Sequence, residues 1–293
     1  MADALHRKEG PSASSNASAG QVAGPARAWG AVGHLADRHQ AARRYVLTDG
    51  EVAALGLTPS ARRGALARLV ASGRLVKLGH RRGIWIIVPA EYATMGAPPV
   101  SWVLDDIMGA LDASYYVTLL SAAYMYGATH YALQVLQVAS SRELSPLRLG
   151  RERVRFVLRR DIARVPTRQI VSGGPVALRV STPEATALDL VRFREQAGGL
   201  SNVAGALRQM RDHFTPDGWR VAFDAMDDRP STQRLGYLLT HVGDRRGAAA
   251  CRAWLADRPH RLVVLEPADP TADDTPIDPA WKLVLNATPD VSL

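Results

Sequence analysis

Apolar and polar positions in residues 45–89 predict two short helices followed by a two-stranded hairpin. Thr48 and Glu51 have the spacing of a capping box, in which each side chain caps a backbone amide at the start of a helix. Residues 75–78 and 84–88 are β-rich runs on either side of a glycine-flanked turn. This order of elements predicts a winged helix-turn-helix, a fold that inserts its second helix into the major groove of DNA.

The second helix of this unit is the predicted recognition helix. Thr58 is a typical N-cap, and Pro59 suits the first helical position, where its missing N–H has no intrahelical partner to lose. Leu66, Leu69 and Val70 share one face and are expected to be buried. The opposite face carries mainly small residues, which would let the helix approach base edges closely.

Two kinds of DNA contact are predicted from this helix. Ser60 and Arg68 lie on its outward face and are candidates for hydrogen bonds to bases, whereas Arg62 and Arg63 lie near its positive N-terminus, where they would meet phosphates. The complete predicted DNA-contacting set, with the wing included, is Ser60, Arg62, Arg63, Arg68, Lys77, His80, Arg81 and Arg82. The alternative is a helical hairpin with merely solvated arginines, which does not explain why helices, wing and basic charge occur together in this order.

The distribution of charge along the chain supports nucleic-acid binding by the N-terminal third. Residues 1–95 contain 13 Lys+Arg against 6 Asp+Glu, a net of +7, whereas the other 198 residues hold 23 against 22, a net of +1. Nearly all of the formal net charge of +8 therefore lies in the part that carries the winged pattern. Basic charge concentrated on one small domain is typical of phosphate binding.

Length and composition exclude several classes of protein. With 293 residues, the chain is long enough for two domains. No apolar run reaches the ~18–20 residues that a transmembrane helix needs, and the first ten residues lack the apolar segment of a secretory signal. Cys251 is the single cysteine, so no intramolecular disulfide is expected and a reducing compartment is favoured. We therefore expect a cytoplasmic protein.

Three regions are predicted along the chain. Residues 1–25 are rich in Ser, Ala and Gly and are expected to be a disordered tail. Residues 26–95 are expected to form the winged domain, with a helix over residues 27–43 behind it. The Gly- and Pro-containing stretch 92–99 predicts a boundary, and residues 96–293 are expected to form a C-terminal domain.

Beyond this boundary the sequence predicts strands followed by packed helices. Helices are predicted over residues 102–111, 118–126, 183–193, 202–213 and 231–242. Strands are predicted over residues 133–139, 154–158, 169–172, 176–180, 261–265 and 281–285. This pattern is typical of α+β and α/β folds, so we expect a mixed α/β domain after the winged helix-turn-helix.

A second basic segment lies within the predicted C-terminal domain. Residues 142–168 hold 9 Arg against 3 acidic residues, a net of +6. Arg151, Arg153 and Arg155 alternate and would share one face of a strand. This face is either a second surface for a nucleic acid or an acidic partner, or a solvated sheet face neutralised by the acidic C-terminal part, and the sequence leaves both open.

Motifs for enzymatic chemistry are absent from the sequence. It contains no phosphate-binding glycine loop, no zinc-ligand spacing and no nucleophile elbow. The adjacent carboxylates Asp105–Asp106 and Asp227–Asp228 are more typical of helix starts and surfaces than of a metal site. We therefore predict no catalytic residue, no metal and no cofactor.

Several motifs in both halves resemble the AbiEi antitoxin family of abortive-infection toxin–antitoxin systems. In the winged half, the wing strand GIWIIVP resembles the family's R-G-x-Y-x-x-P, with Trp85 at the aromatic position. In the C-terminal half, YVTLLSAAYMYGAT carries the matching Ser121 and Gly127, although Ala128 stands where the family has Leu. Further similar segments are VSTPEATALDLV, GGLSNVAGAL, RLGYLL and WKLVLN.

The resemblance implies a non-enzymatic protein with two roles. The winged domain would bind inverted repeats in its own promoter and repress the operon. The C-terminal domain would counteract a nucleotidyltransferase-like toxin, generally without a stable complex, as in a type IV system. We assign this antitoxicity to the surface formed by Arg151, Arg153 and Arg155.

Two other interpretations stay open at this point. One is a stand-alone transcriptional regulator whose C-terminal domain senses a ligand or dimerises. The other is a nuclease or transferase that the winged domain directs to DNA. Within the resembling segment, Asp189 lies inside an apolar helix, where we expect a structural hydrogen bond or ion pair with Arg192 or Arg179 rather than catalysis.

Overall fold

The computed structural model describes residues 25–79, 81, 83–128, 135–171, 174 and 176–290. All but the last residue of the predicted disordered tail therefore lies outside the described residues, as do His80 and Arg82 of the predicted wing.

The N-terminal unit has the element order of a winged helix-turn-helix, as predicted. Its elements are α1 (Pro25–Ala41), β1 (Val46–Thr48), α2 (Asp49–Ala53), α3 (Pro59–Ala71), β2 (Leu75–Lys77) and β3 (Ile84–Ile87). The three strands form an antiparallel sheet in the order β1-β3-β2. Strand β1 was not predicted, because it is only three residues long and leads directly into the cap of α2.

Local sequence explains the ends of helices α2 and α3. The predicted capping box is confirmed, since the Thr48 hydroxyl accepts from the Glu51 N–H and the Glu51 carboxylate accepts from the Thr48 N–H. Gly56 and Gly73 follow α2 and α3 with φ of +68° and +72°, a left-handed conformation that favours glycine. The turn between α2 and α3 is thereby fixed in length and direction.

One hydrophobic core holds α1 behind α3. Val32, Leu35 and Ala36 of α1 are buried together with Leu66 and Leu69 of α3, which confirms the predicted backing helix. The outward face of α3 is left free of this core.

A mixed sheet forms the centre of the C-terminal part and confirms the predicted α/β class. Its strands are β4 (Tyr115–Val117), β5 (Val135–Ser140), β6 (Leu147–Leu149), β7 (Glu152–Leu158), β8 (Thr167–Val171) and β9 (Ala177–Ser181). Their order is β6-β7-β5-β4-β9-β8, with β5–β7 and β4–β9 parallel and the other neighbours antiparallel.

Among the described residues, seven α-helices accompany this sheet. They are α4 (Val100–Ala110), α5 (Leu119–Met125), α6 (Pro183–Arg192), α7 (Leu200–Met210), α8 (Pro216–Met226), α9 (Arg229–His241) and α10 (Arg245–Ala256). Helix α4 precedes the sheet in the chain, α5 lies between β4 and β5, and the other five follow β9. A small sheet closes the described chain and consists of β10 (Val263–Val264), β11 (Ile277–Asp278) and β12 (Leu283–Val284). Helices α8 and α10 and strands β4, β6 and β11 were not predicted.

Helix α4 packs against the back of the winged sheet. Val46 and Ile86 of that sheet share a buried core with α4 and with the six-stranded sheet. The Trp102 ring of α4 lies between Tyr45 and Tyr92, with centroid distances of 5.5 and 5.1 Å. The stretch predicted as a boundary is therefore bridged by apolar contacts.

Candidate nucleic-acid interface

The recognition helix α3 is positioned by its cap and its buried face. The Thr58 hydroxyl accepts from the Ala61 N–H at 3.3 Å, and Pro59 occupies the first turn, as predicted. Leu66 and Leu69 anchor the inner face of the helix, while Val70 is half-buried. The opposite face consequently points away from the protein.

Most of the predicted contact residues on α3 lie on its accessible side. Ser60, Arg63 and Arg68 are exposed, and Arg62 is half-buried. A Cβ placed on Gly64 would lie 4.0 Å from an Arg68 guanidinium nitrogen, so the arginine side chain extends over the glycine. The small residue therefore leaves space on the helix surface that the Arg68 side chain uses.

Two acidic side chains of the winged unit pair with arginines that lie outside α3. Asp37 pairs with Arg74, and Glu51 pairs with Arg44 at 3.2 Å. Among the described residues, Arg62 and Arg63 have no ion-pair partner. Two arginines near a helix N-terminus without a counter-ion can donate hydrogen bonds to the phosphate oxygens of a duplex.

The wing is only partly described, and one of its arginines contacts the C-terminal part. Lys77 is exposed at the end of β2. The Arg81 guanidinium donates to the backbone carbonyl of Ser145 at 3.0 Å. Arg81 thus links the wing to the loop before β6, an interaction that the sequence did not predict.

A second group of basic residues lies on the β6–β7 hairpin. Arg153 and Arg155 are exposed residues of β7, and Arg151 is exposed in the turn that precedes this strand. Arg148 of β6 faces Arg153 across the antiparallel pair. No ion pair joins any of these four arginines to another described residue.

Sequence reasoning missed Arg148 as a member of this group. The sequence pattern that could have revealed Arg148 is the alternation Leu147-Arg148-Leu149. Both leucines are buried and the arginine is exposed, as on a strand with one face against the core. We define the arginine hairpin as Arg148, Arg151, Arg153 and Arg155.

The arginine hairpin is held against the segment that joins the two parts of the chain. The Glu152 carboxylate accepts from the Val100 N–H at the start of α4, at 2.8 Å. Gly150 has a φ of +56°, and a Cβ there would lie 3.1 Å from the Met95 carbonyl oxygen. Glycine is needed at this close approach, which fixes the hairpin relative to α4.

Asp189 is the centre of a buried polar cluster beneath α6. Its carboxylate accepts from Arg159 at 2.6 Å and from the hydroxyls of Tyr116 and Thr118, each at 2.8 Å. The prediction of a structural interaction is confirmed, but the predicted partners were wrong. Arg159, at the end of β7, is brought to Asp189 by the sheet, whereas Arg192 pairs with Asp228 at 3.2 Å.

The pKa shifts of this cluster have opposing causes. Burial raises the pKa of Asp189, while the Arg159 guanidinium and the two hydroxyls act in the opposite direction. Burial and the neighbouring carboxylate raise the pKa of the Tyr116 phenol, which favours its neutral, donating form. All four groups are buried, and Arg159 also pairs with Asp161 at 3.0 Å, so the cluster has the character of a structural network.

Two other reactive or ionisable side chains, Cys251 and Asp228, also have structural roles. Burial raises the pKa of the Cys251 thiol well above its ordinary value, which opposes thiolate formation. Asp228 caps α9 by accepting from the Ser231 N–H at 3.0 Å, in agreement with the helix-start interpretation. In the part of the chain that the structure describes, no group of three or more His, Cys, Asp or Glu side chains could hold a metal ion.

None of the helices in the described part of the chain has the length and apolar character needed to cross a membrane.

Comparisons with known proteins match both parts of the chain. Residues 35–88 match the family model described as "Transcriptional regulator, AbiEi antitoxin", and residues 116–241 match the model "AbiEi antitoxin C-terminal domain". The RV2827C protein from Mycobacterium tuberculosis has a similar crystal structure, with a TM-score of 0.57 and 17% sequence identity. That similarity covers 87% of this chain and 90% of the other chain and concerns the fold. No curated protein matches the chain.

Proposed function

The chain belongs to the AbiEi antitoxin family, and on that premise we propose that it is a cytoplasmic DNA-binding antitoxin that represses its own operon. The winged unit would bind inverted repeats in the promoter. The C-terminal part would counteract a nucleotidyltransferase-like toxin, with no enzymatic activity of its own. Family membership supports this division, because separate regulator and antitoxin models match the two parts.

The observation that carries the DNA-binding proposal is the outward face of α3. It combines exposed Ser60 and Arg68 with two arginines at the helix N-terminus that have no counter-ion among the described residues. A recognition helix needs this combination, since phosphate contacts position it and side chains at its surface read the bases.

Repression is tested with a reporter gene placed behind the DNA upstream of the chain's own gene. We expect the wild-type chain to lower reporter expression and Arg62→Ala/Arg63→Ala to restore it, because the variant lacks two cations that would bind phosphates. The matched control is Arg220→Ala/Arg245→Ala, which removes two exposed arginines far from α3 in the sequence. Equal repression by the wild type and the α3 variant would contradict the proposal.

For antitoxicity we propose the arginine hairpin as the working surface. Its four arginines are concentrated on one edge of a sheet, and a local excess of positive charge attracts a nucleic acid or an acidic partner. The fixed position of the hairpin against α4 supports this role, because a preorganised surface loses less entropy on binding.

Rescue of cells from the cognate toxin tests this surface. We expect Arg151→Glu/Arg153→Glu/Arg155→Glu in the full chain to lose rescue while its circular dichroism stays that of the wild type. The charge-matched control Arg220→Glu/Arg245→Glu/Arg246→Glu reverses three other exposed arginines and should still rescue. Full rescue by the hairpin variant would remove the assignment. A nucleotidyltransferase-like gene beside this one would identify the toxin to use.

A further inference from the structure

Strand β8 forms an accessible edge of the six-stranded sheet. Its sole strand partner among the described residues is β9, and four of its five residues are exposed. Val171 is an apolar residue of this strand with 70% of its surface exposed. An exposed, apolar edge is a template for pairing with another strand.

The hydrogen-bond pattern shows which backbone groups face outward. Thr182 donates its N–H to the Pro166 carbonyl at 3.0 Å, so this facing pair is hydrogen-bonded. Because hydrogen-bonded pairs alternate along an antiparallel ladder, Arg168 and Ile170 also face β9 with their backbone groups. The N–H and C=O groups of Thr167, Gln169 and Val171 therefore point away from the sheet.

The usual protections of an edge strand are weak here. The register between β8 and β9 is continuous and contains no bulge, and no proline lies inside β8. Its one charged side chain, Arg168, is held over the Tyr126 ring at 4.4 Å and donates to the Tyr126 hydroxyl at 3.1 Å. Arg168 stays exposed, but this contact directs its guanidinium towards Tyr126.

We propose that β8 pairs with β8 of a second copy of this chain, antiparallel and centred on Gln169. The two-fold axis would place Gln169 opposite Gln169 of the second copy and Thr167 opposite Val171, so that all outward backbone groups find partners. This inference rests on the proposed function, because a two-fold dimer matches the symmetry of an inverted-repeat operator.

The side chains of β8 are compatible with this self-pairing and favour a second copy over an unrelated strand. The two central glutamines can exchange amide hydrogen bonds, while Thr167 and Val171 are both suited to strands. Arg168 would face Ile170 across the axis, so no two like charges stand directly opposite each other.

Sedimentation of the full-length protein over a range of concentrations tests the pairing in the absence of DNA. We expect concentration-dependent dimers for the wild type and a loss of about tenfold or more in association constant for Gln169→Pro. Proline removes an outward N–H but keeps the bonds to β9, which is why proline is tolerated on edge strands. Gln169→Ala is the matched control, since it keeps the N–H and should retain most of the association.

Gln169→Lys provides an independent variant that should keep the fold, because position 169 is exposed. It places two positive charges opposite each other on the axis and should also weaken the dimer, with recovery at high salt. A monomer at every concentration, or a dimer that neither variant weakens, would overturn the pairing. If the wild-type protein is a monomer and Gln169→Pro still loses toxin rescue, the edge pairs with a strand of the toxin and the self-pairing is overturned.

DNA binding measured on the same proteins separates the two proposals. A dimer that fails to bind DNA would leave the pairing intact and contradict the repressor function. A monomer that binds operator DNA would leave the repressor function intact and contradict the pairing.

Discussion

Single residues in the core show where sequence reasoning succeeds and where it stops. The burial of Asp189 followed from its place in an apolar helix, but its partner Arg159 did not. The two residues are 30 positions apart, and only the path of β7 through the sheet brings them together. Arg159 belongs to the same alternating series as Arg153 and Arg155, so its inward direction depends on where the helices cover the sheet.

We expect Arg159→Met to destabilise the protein by roughly 3–5 kcal/mol, because it leaves a buried carboxylate without its cation. The control Arg192→Ala removes a partly exposed pair with Asp228 and should cost about 1 kcal/mol or less. Urea unfolding of both variants measures the difference. Equal free energies of unfolding would contradict the structural role of the buried pair.

The capping box at Glu51 gives an expectation about pH. Partial burial alone would raise the pKa of Glu51, but hydrogen bonds from Thr48 and the nearby His39 and Arg44 lower it below its ordinary value. The folded state then binds fewer protons than the unfolded state, so this contribution to stability is present at neutral pH and is lost on acidification. Glu51→Gln should be less stable than the wild type at pH 7, and the difference should disappear as the pH falls from the ordinary pKa of glutamate, about 4.3, through the lower pKa of Glu51 in the folded state. A stability difference that is independent of pH would contradict this account.

At the level of elements, most helices were predicted, whereas α8, α10 and four short strands were not. Helices α3, α6 and α9 have clear caps and apolar faces. Strands β1, β4 and β6 have three residues each, too few for alternation to be recognised. Helix α8 has an apolar face at Trp219, Phe223 and Met226, but its Pro- and Gly-containing first turn resembles a loop.

In the candidate nucleic-acid interface, too, one part could be predicted from the sequence and another could not. The outward face of α3 followed from helical periodicity, because the inner stripe determines the outer one. The contact of Arg81 with Ser145 could not be predicted, since it joins two elements that are 64 residues apart.

The two DNA-contacting elements should respond differently to mutation. We expect Arg68→Ala to relax sequence preference by about 1–3 kcal/mol, because Arg68 is exposed on the outward face of α3, which we propose reads the bases. Arg81→Ala and Arg82→Ala should weaken binding to all sequences, as expected for a wing that contacts the backbone. Affinities of each variant for operator and random DNA distinguish these effects. Identical decreases on both DNAs for Arg68→Ala and Arg81→Ala would show that α3 is not the recognition helix.

For the whole molecule, the winged sheet and α4 share a buried core. This core affects how the proposed DNA-binding role of the winged unit can be tested separately from the proposed antitoxin role of the C-terminal part. A fragment beginning at residue 97 would expose the α4 surface that Val46 and Ile86 cover. The predicted boundary rested on the Gly- and Pro-containing stretch 92–99, and such composition carries no information about packing on either side of it. Charge-changing variants of the full chain are therefore better probes than truncations.

We expect the full chain with Arg62→Ala/Arg63→Ala to keep rescuing cells from the toxin while it no longer represses the promoter. The arginine hairpin is unchanged in this variant, and the two surfaces act on different partners in the proposed function. Loss of rescue by a well-folded variant would show that antitoxicity needs DNA binding.

The central claim is that the outward face of α3 binds DNA through phosphates and bases. Its most direct test is the affinity of the full chain for DNA from its own promoter, measured as a function of salt concentration for the wild type and Arg62→Ala/Arg63→Ala. We expect the wild-type affinity to fall by orders of magnitude between ~50 and ~200 mM salt, and the slope of the variant to be smaller by about 0.9 for each phosphate that it no longer binds. Binding that is absent or independent of salt, or equal slopes for the two proteins, would contradict the claim.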